Sequence, residues 1–448
     1  MLQTGRWATA AVVSIGWVGV SAPATLNVPG DFATIQACID AAVSGGDECV
    51  VAPGTYHETI NFLGKAITLR SSGGADVTTI NATGLNSSVV TCASGEGPDT
   101  VLYGYTITGG TGIEDGSYGK HGGGMYNFSS SPTVINCTFS GNKARGSEGL
   151  GAGGGMYNYD SGPTVTNCAF SGNTAYAGGG MVNTFSSPTV TNCTFSGNTA
   201  SLGGGMFNGG GRPTVTNCAF SGNAATDAGG GMYNAGSTPL VTNCTFGGNT
   251  AAYGGGMFND GGCPTVTNCI LWGDSPDQVV DFERSTSTFR FSDVQGGLPV
   301  GAIDGGGNID LDPMLVRPPD PGPDGRWGGV DDDYGDLRLQ GGSPCIDAGD
   351  PNFSPAPGET DLNGHARVLC GRVDMGAYEF GIGDYDCDQA VDLMDFANWS
   401  ACMTGPLQSA IGNWQLAITC ESFDFDGDAD IDLVDFTQFS RVFSAGSP

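Results

Sequence analysis

Gly-Gly-Gly-Met recurs through the middle of this chain, ending at Met125, Met156, Met181, Met206, Met232 and Met257. Asn-Cys recurs in step, at Cys137, Cys168, Cys193, Cys218, Cys244 and Cys269, and both series advance by 31, 25, 25, 26 and 25 residues. A self-similar period of this length constrains the architecture before any other feature does. Between its glycines the repeat holds short runs of Thr, Val and Phe, which favour strands, and no stretch of good helix formers. One such unit cannot bury its own apolar face, whereas stacked units share a continuous core. The pattern therefore predicts an all-β solenoid, one coil per repeat, with like residues one above another at the strand spacing of about 4.8 Å.

Stacking gives each repeated residue a role. Met and Cys become internal columns of adaptable apolar fill. Asn136, Asn167, Asn192, Asn217, Asn243 and Asn268 are expected to form a column of amides at a bend, bonded rung to rung so that none is buried alone. The triple glycines are expected to supply positive φ where the chain turns. With Met pointing inward, strand alternation points Tyr126, Tyr157, Val182, Phe207, Tyr233 and Phe258 outward. That stripe can stack on sugar rings or form a protein interface, but packing beneath a loop is the favoured expectation. Of 15 cysteines, an odd number, at least one stays outside any pairing within the chain. The six column cysteines are expected to be free thiols, because neighbouring parallel strands seldom offer disulfide geometry. Cys345 with Cys370, and Cys402 with Cys420, are the expected pairs.

The formal charge is −31, with acids sparse in the repeats and dense after Asp304. Such a surface repels nucleic acid and anionic membrane and suits divalent cations. At the front, Arg6 precedes an apolar run from Trp7 to Val20, and Ala22-Pro23-Ala24 fits a cleavage site. Residues 1–24 are read as a secretory signal, with an N-terminal anchor as the alternative. The mature chain is then expected to have no membrane span and to work outside the cell or at its surface, where disulfides persist.

Paired with GGGM, the Phe-Ser-Gly-Asn units Phe139–Asn142, Phe170–Asn173, Phe195–Asn198 and Phe220–Asn223 resemble the repeats of polymorphic outer membrane proteins; the last turn departs, reading Leu271-Trp272-Gly273-Asp274. The front end, with Asp31 capping a short helix of Phe32, Ile35 and Ile39 followed by APGTYHE (52–58) and GKAITLRS (64–71), resembles the start of a pectin-lyase-like β-helix. SDVQGG (292–297), DDDYGDLRL (331–339), GSPCIDAGD (342–350) and GRVDMGAYEF (371–380) resemble the closing region of secreted bacterial β-helix proteins. The resemblance implies a right-handed, single-stranded parallel β-helix over residues 25–380. Its parts are a capping helix near 31–43, regular coils over 121–272 and a closing region over 273–380.

Residues 381–448 hold two matching segments. Asp384, Asp386, Asp388, Ala390, Asp392 and Asp395 in one align with Asp424, Asp426, Asp428, Asp430, Asp432 and Asp435 in the other. Carboxylates at loop positions 1, 3, 5, 9 and 12, with a backbone carbonyl at 7, give the oxygen spacing that wraps Ca²⁺. Twin loops with Asp at position 12, each followed by a helix, resemble a type I dockerin, a small α-helical module similar to an EF-hand. The resemblance implies calcium and a cohesin-like or surface-matrix partner. Gln389 and Ala429 stand where the loop's glycine is usual, and the linker between the loops is long; both put a standard cohesin in doubt.

The regular coils hold few acids: Glu148, Asp160, Asp227 and Asp260, on different columns or distant rungs. Glycosidic chemistry needs two carboxylates facing one bond, so the catalytic candidates fall instead in the irregular stretch Asp274 to Asp293: Asp277, Asp281, Glu283 and Arg284, with Arg290 nearby. Acid–arginine clusters are more often surface ion pairs. His57, His121 and His365 show no ligand spacing. The functional expectation is a secreted, non-catalytic solenoid that presents a surface to carbohydrate or protein; the alternative is a polysaccharide lyase or glycoside hydrolase.

Overall fold

The expected register is present pair by pair in a computed structural model, which describes residues 23–381 apart from 115, 117, 118, 147 and 148. The leader up to residue 22 and both calcium loops lie outside the described residues. Met125 pairs with Met156, and the column continues through Met181, Met206, Met232 and Met257, parallel throughout. Each coil contributes three short strands, as in Met181–Thr184, Thr189–Thr191 and Thr194–Ser196. They build three sheets of nine, twelve and ten strands, named here the Met, Val and Phe sheets after their inward residues. Those residues are fully buried in every regular coil. Phe139, Phe170, Phe195, Phe220 and Phe246 stack with ring centroids 4.6–4.8 Å apart and planes within 2–4°. That separation is the strand spacing itself.

The glycine triplets divide their labour differently from the expectation. Only the first of each turns left-handed, as at Gly178 (φ 58°), while Gly179 and Gly180 do not. A Cβ on Gly180 would lie 2.5 Å from the Gly205 carbonyl oxygen and 2.9 Å from the Phe195 ring. The second and third glycines are there because adjacent coils approach too closely for any side chain.

The outward aromatic stripe is covered. Short fourth strands such as Thr199–Leu202 and Ala224–Ala228 flank it. Tyr126, Tyr157 and Val182 are buried against Ile113, Ala152 and Ala177, and Tyr233 and Phe258 against Leu202 and Ala228. Sheltered apolar surface is worth about 25 cal/mol per Å², so covering this stripe stabilises the flank of the solenoid.

At the front, the helix Ile35–Ala41 buries Ile35, Cys38 and Ile39 over the first coil, protecting the end that a solenoid must close. Its cap is Thr34, whose hydroxyl accepts from the Ala37 amide, and not Asp31. The Asp31 carboxylate is taken by the backbone and side-chain amides of Asn27. A Cys38–Cys49 disulfide, unforeseen in the sequence, ties the helix to the strand Glu48–Val51. At the back, the strands end at Ile303–Asp304; Leu315–Arg317 and Asp336–Leu339 then form an antiparallel pair, and residues 343–380 fold back along the solenoid. Cys345 does not pair with Cys370. It remains a buried thiol packed inward with Ile270, Leu337 and Met375, pointed at Asp293 Oδ2, 3.3 Å away. Cys370 is disulfide-bonded to a different cysteine. The returning segment is braced internally by Arg367, whose buried guanidinium meets Glu379 at 2.8 Å.

Candidate functional site

The amide ladders lie elsewhere than expected. The Asn-Cys asparagines all adopt φ of 52–53°, the left-handed region that Asn tolerates better than other side-bearing residues. They turn the corner between the Val and Phe sheets, and of them only Asn268 and Asn243 bond to each other. Two other columns carry the rung-to-rung bonds. One is the third residue of the Met strands: Asn127, Asn158, Asn183, Asn208, Asn234 and Asn259 pass Nδ2 to Oδ1 at 2.8–2.9 Å. The other is the Asn of Phe-Ser-Gly-Asn. There Asn173 donates to Asn198 Oδ1 at 3.0 Å and to the Phe139 carbonyl at 2.9 Å, and Asn198, Asn223 and Asn249 repeat the pattern.

Both ladders end on aspartates, Asp274 at the close of the last regular coil and Asp281 on the Met-sheet strand that follows it. Asn259 Nδ2 donates to Asp281 Oδ1 at 2.8 Å, and Asn249 Nδ2 to Asp274 Oδ1 at 2.8 Å. Asp281 Oδ2 accepts the Ser287 amide and hydroxyl, so its carboxylate is fully bonded within the fold. Asp274 Oδ2 is buried with no hydrogen-bond partner, and burial pushes this carboxyl up to about 7, against the pull of its bonds from Asn249. Beyond Asp274 the strand pairing ends at Leu271 with Val294, and the next coil turns away at Gly296 and Gly297, the Gly297 amide donating to the Val294 carbonyl. A cleft of about 670 Å³ opens there, lined by Asp274, Asp277, Gln278, Asp281, Gln295 and the Leu298–Val300 turn among others.

Of the four catalytic candidates, Asp277 and Asp281 line this cleft, Asp277 exposed and Asp281 committed to its ladder. Glu283 and Arg284 stand on an exposed turn outside the cleft lining. Asp274, at the start of the candidate stretch but not among its named candidates, carries a signal in the sequence: Leu-Trp-Gly-Asp replaces Phe-Ser-Gly-Asn in the last repeat. His121 packs against Tyr157 with the rings tilted by 34°, and His365 lies 3.7 Å from Asp361. Among the described residues no group of three or more His, Cys, Asp or Glu is placed to hold a metal ion. The twelve calcium-loop residues lie outside them.

A second hollow, about 580 Å³, opens over the Asn corner of three coils, between Ala75–Asp76 and the segment Thr360–Gly364 with Tyr378.

A family model described as a right-handed β-helix region matches residues 59–202 and 125–294, together more than half of the chain. Among solved structures, a pectin methylesterase from Aspergillus niger in deglycosylated form aligns with a TM-score of 0.33 and 14% identity, over 65% of this chain and 92% of its own. A pectin methylesterase variant in complex with a hexasaccharide aligns with a TM-score of 0.24 and 12% identity, over 65% of this chain and 93% of its own. No curated protein matches the sequence.

Proposed function

This chain belongs to the right-handed β-helix family, and from that premise we propose that it is an exported, non-catalytic scaffold. On this reading its solenoid presents a surface to carbohydrate or protein, and a calcium-loaded C-terminal module docks it to a cohesin-like or surface-matrix partner. One observation carries the non-catalytic part: the two carboxylates at the heart of the cleft beyond the last regular coil serve the fold. Asp281 gives both oxygens to structural donors, and Asp274, though it lines the cleft, is largely buried and gives Oδ1 to the backbone and side-chain amides of Asn249. Acid–base work on a glycosidic bond needs two carboxyl groups that touch the substrate, and Asp277 alone is free to do so. The Cys38–Cys49 bond supports an oxidising compartment.

A second reading, a polysaccharide lyase or hydrolase, draws its support from the exposed Asp277 on the rim of that cleft. The full chain should release no oligosaccharide from a panel of pectin, alginate and glucan with calcium present. Product release that disappears in Asp277→Ala, on a chain with an unchanged melt, would overturn the non-catalytic reading.

For the C-terminal module the support is the loop spacing. We expect one calcium ion per loop, held by Asp384, Asp386, Asp388, Asp392 and Asp395, with the Ala390 carbonyl, and by their counterparts Asp424 to Asp435. Calorimetric titration of the full chain should show this binding, and it should vanish in the double substitution Asp384→Ala with Asp424→Ala. Undiminished binding in that variant would refute the assignment.

A further inference from the structure

The corner asparagines, freed from ladder duty, are used by the chain itself as a docking track. The returning segment forms a narrow hairpin, closed by a Thr360–Ala366 bridge, that lies along the corner from the last coils toward the first. Asn268 Oδ1 accepts the Asp350 amide at 2.7 Å. Asn217 Nδ2 donates to the Thr360 carbonyl at 2.8 Å, and Asn192 Nδ2 to the Thr360 hydroxyl at 3.0 Å. There the hairpin turns back, while the track runs on. Asn136 meets only the Tyr103 hydroxyl, on its own side of the groove. Asn167 is exposed in the middle of the hollow. Asn192 also keeps an unpartnered, buried Oδ1 beside it.

We propose that this open stretch of the corner, floored by Asn136, Asn167 and Asn192 with Thr138 and Thr194, binds an extended, uncharged, hydroxyl-rich polypeptide segment of a partner protein. The inference rests on the scaffold reading and names where that scaffold binds and what it takes. The amides repeat at the coil spacing, so each meets one backbone carbonyl or side-chain hydroxyl, as Asn217 and Asn192 do with Thr360. A polypeptide is favoured because a polypeptide already occupies the continuation of the same track. The lining carries one charge, Asp76, which disfavours acidic segments and leaves no cation to select for them. Strand addition is not available here, because the floor strands are already paired on both sides, and recognition falls to side chains.

The test uses the full chain against a displayed library of random dodecapeptides and, in parallel, an array of neutral and acidic oligosaccharides. Two variants separate the groove from the rest of the surface. Asn136→Gly with Asn167→Gly removes the amides yet keeps the left-handed backbone, which glycine adopts freely; Ala169→Trp fills the floor. Enriched peptides should be rich in Ser, Thr and Asn. By fluorescence anisotropy they should bind the glycine variant about tenfold or more weakly, the change expected from losing one or two side-chain hydrogen bonds, and should be excluded by Ala169→Trp. Peptides or glycans that bind both variants as well as the parent chain would overturn the groove while leaving the scaffold reading intact. Oligosaccharide binding lost in both variants, without peptide enrichment, would overturn the choice of polypeptide. Binding of nothing from either collection would count against the groove and the scaffold together.

Discussion

Replacing Asn198 by Leu should cost the solenoid about 2–5 kcal/mol, as much as a large cavity, although volume and burial hardly change. Asn198 is fully buried. Its Oδ1 accepts both the backbone and side-chain amides of Asn173, and its Nδ2 donates to the Phe170 carbonyl and to Asn223. Leucine deletes those bonds at once and leaves the Asn173 backbone amide without its partner in an apolar interior. An orphaned group costs its desolvation, about 1–3 kcal/mol, rather than the smaller net worth of the bond. Because each coil touches only its neighbours, the damage should also split the array, giving a broader or two-step melt where the parent gives one. Asn167→Gly, at the exposed corner, should cost under about 1 kcal/mol, since glycine takes its φ of 53° without strain. Thermal and urea melts of the two variants decide the matter. Equal losses would mean that the corner, and not the inner column, holds the coils together.

That contrast marks how far the sequence could be read. Period and composition suffice for stacked coils, because a strand's side-chain alternation and the Gly punctuation survive without tertiary information; the Met, Val and Phe columns follow directly. Choosing which asparagine faces inward is harder. Each regular coil before the last has three, at Asn183, Asn192 and Asn198 for example, and all recur with the same period. Only the positive φ at Asn192, invisible in a sequence, turns one of them to the corner. The glycine triplets were ambiguous for the same reason: a left-handed turn and a 2.5 Å approach of the next coil both demand glycine. The Cys38–Cys49 bond escaped notice because neither residue belongs to the repeat. The hairpin at 350–366 was not legible at all, since its docking depends on contacts more than a hundred residues away, such as Asn217 to Thr360.

Asp274→Asn is expected to stabilise the chain, with a gain that depends on pH. In each earlier coil the ladder Nδ2 donates to the carbonyl of a Phe-column residue, as Asn249 does to Phe220 at 2.9 Å. Asp274 presents Oδ2 in the place of that nitrogen. An ionised oxygen cannot donate, so the group is left unpartnered and burial holds its proton up to about 7, from 3.8. Between those values the folded chain keeps a proton that the unfolded chain has released, so stability falls as pH rises from about 4 to about 7 and the loss is complete above that. An amide at this position donates at every pH and has no proton to lose. The variant should therefore match the parent near pH 4 and exceed it by about 2–4 kcal/mol above pH 8, from roughly 1.4 kcal/mol per unit of displacement. Urea denaturation followed from about pH 4 to 9 measures both curves. A constant difference, or a parent that gains stability across this range relative to the variant, would mean that Asp274 is ionised in the fold and that its free oxygen is held by something other than its own proton.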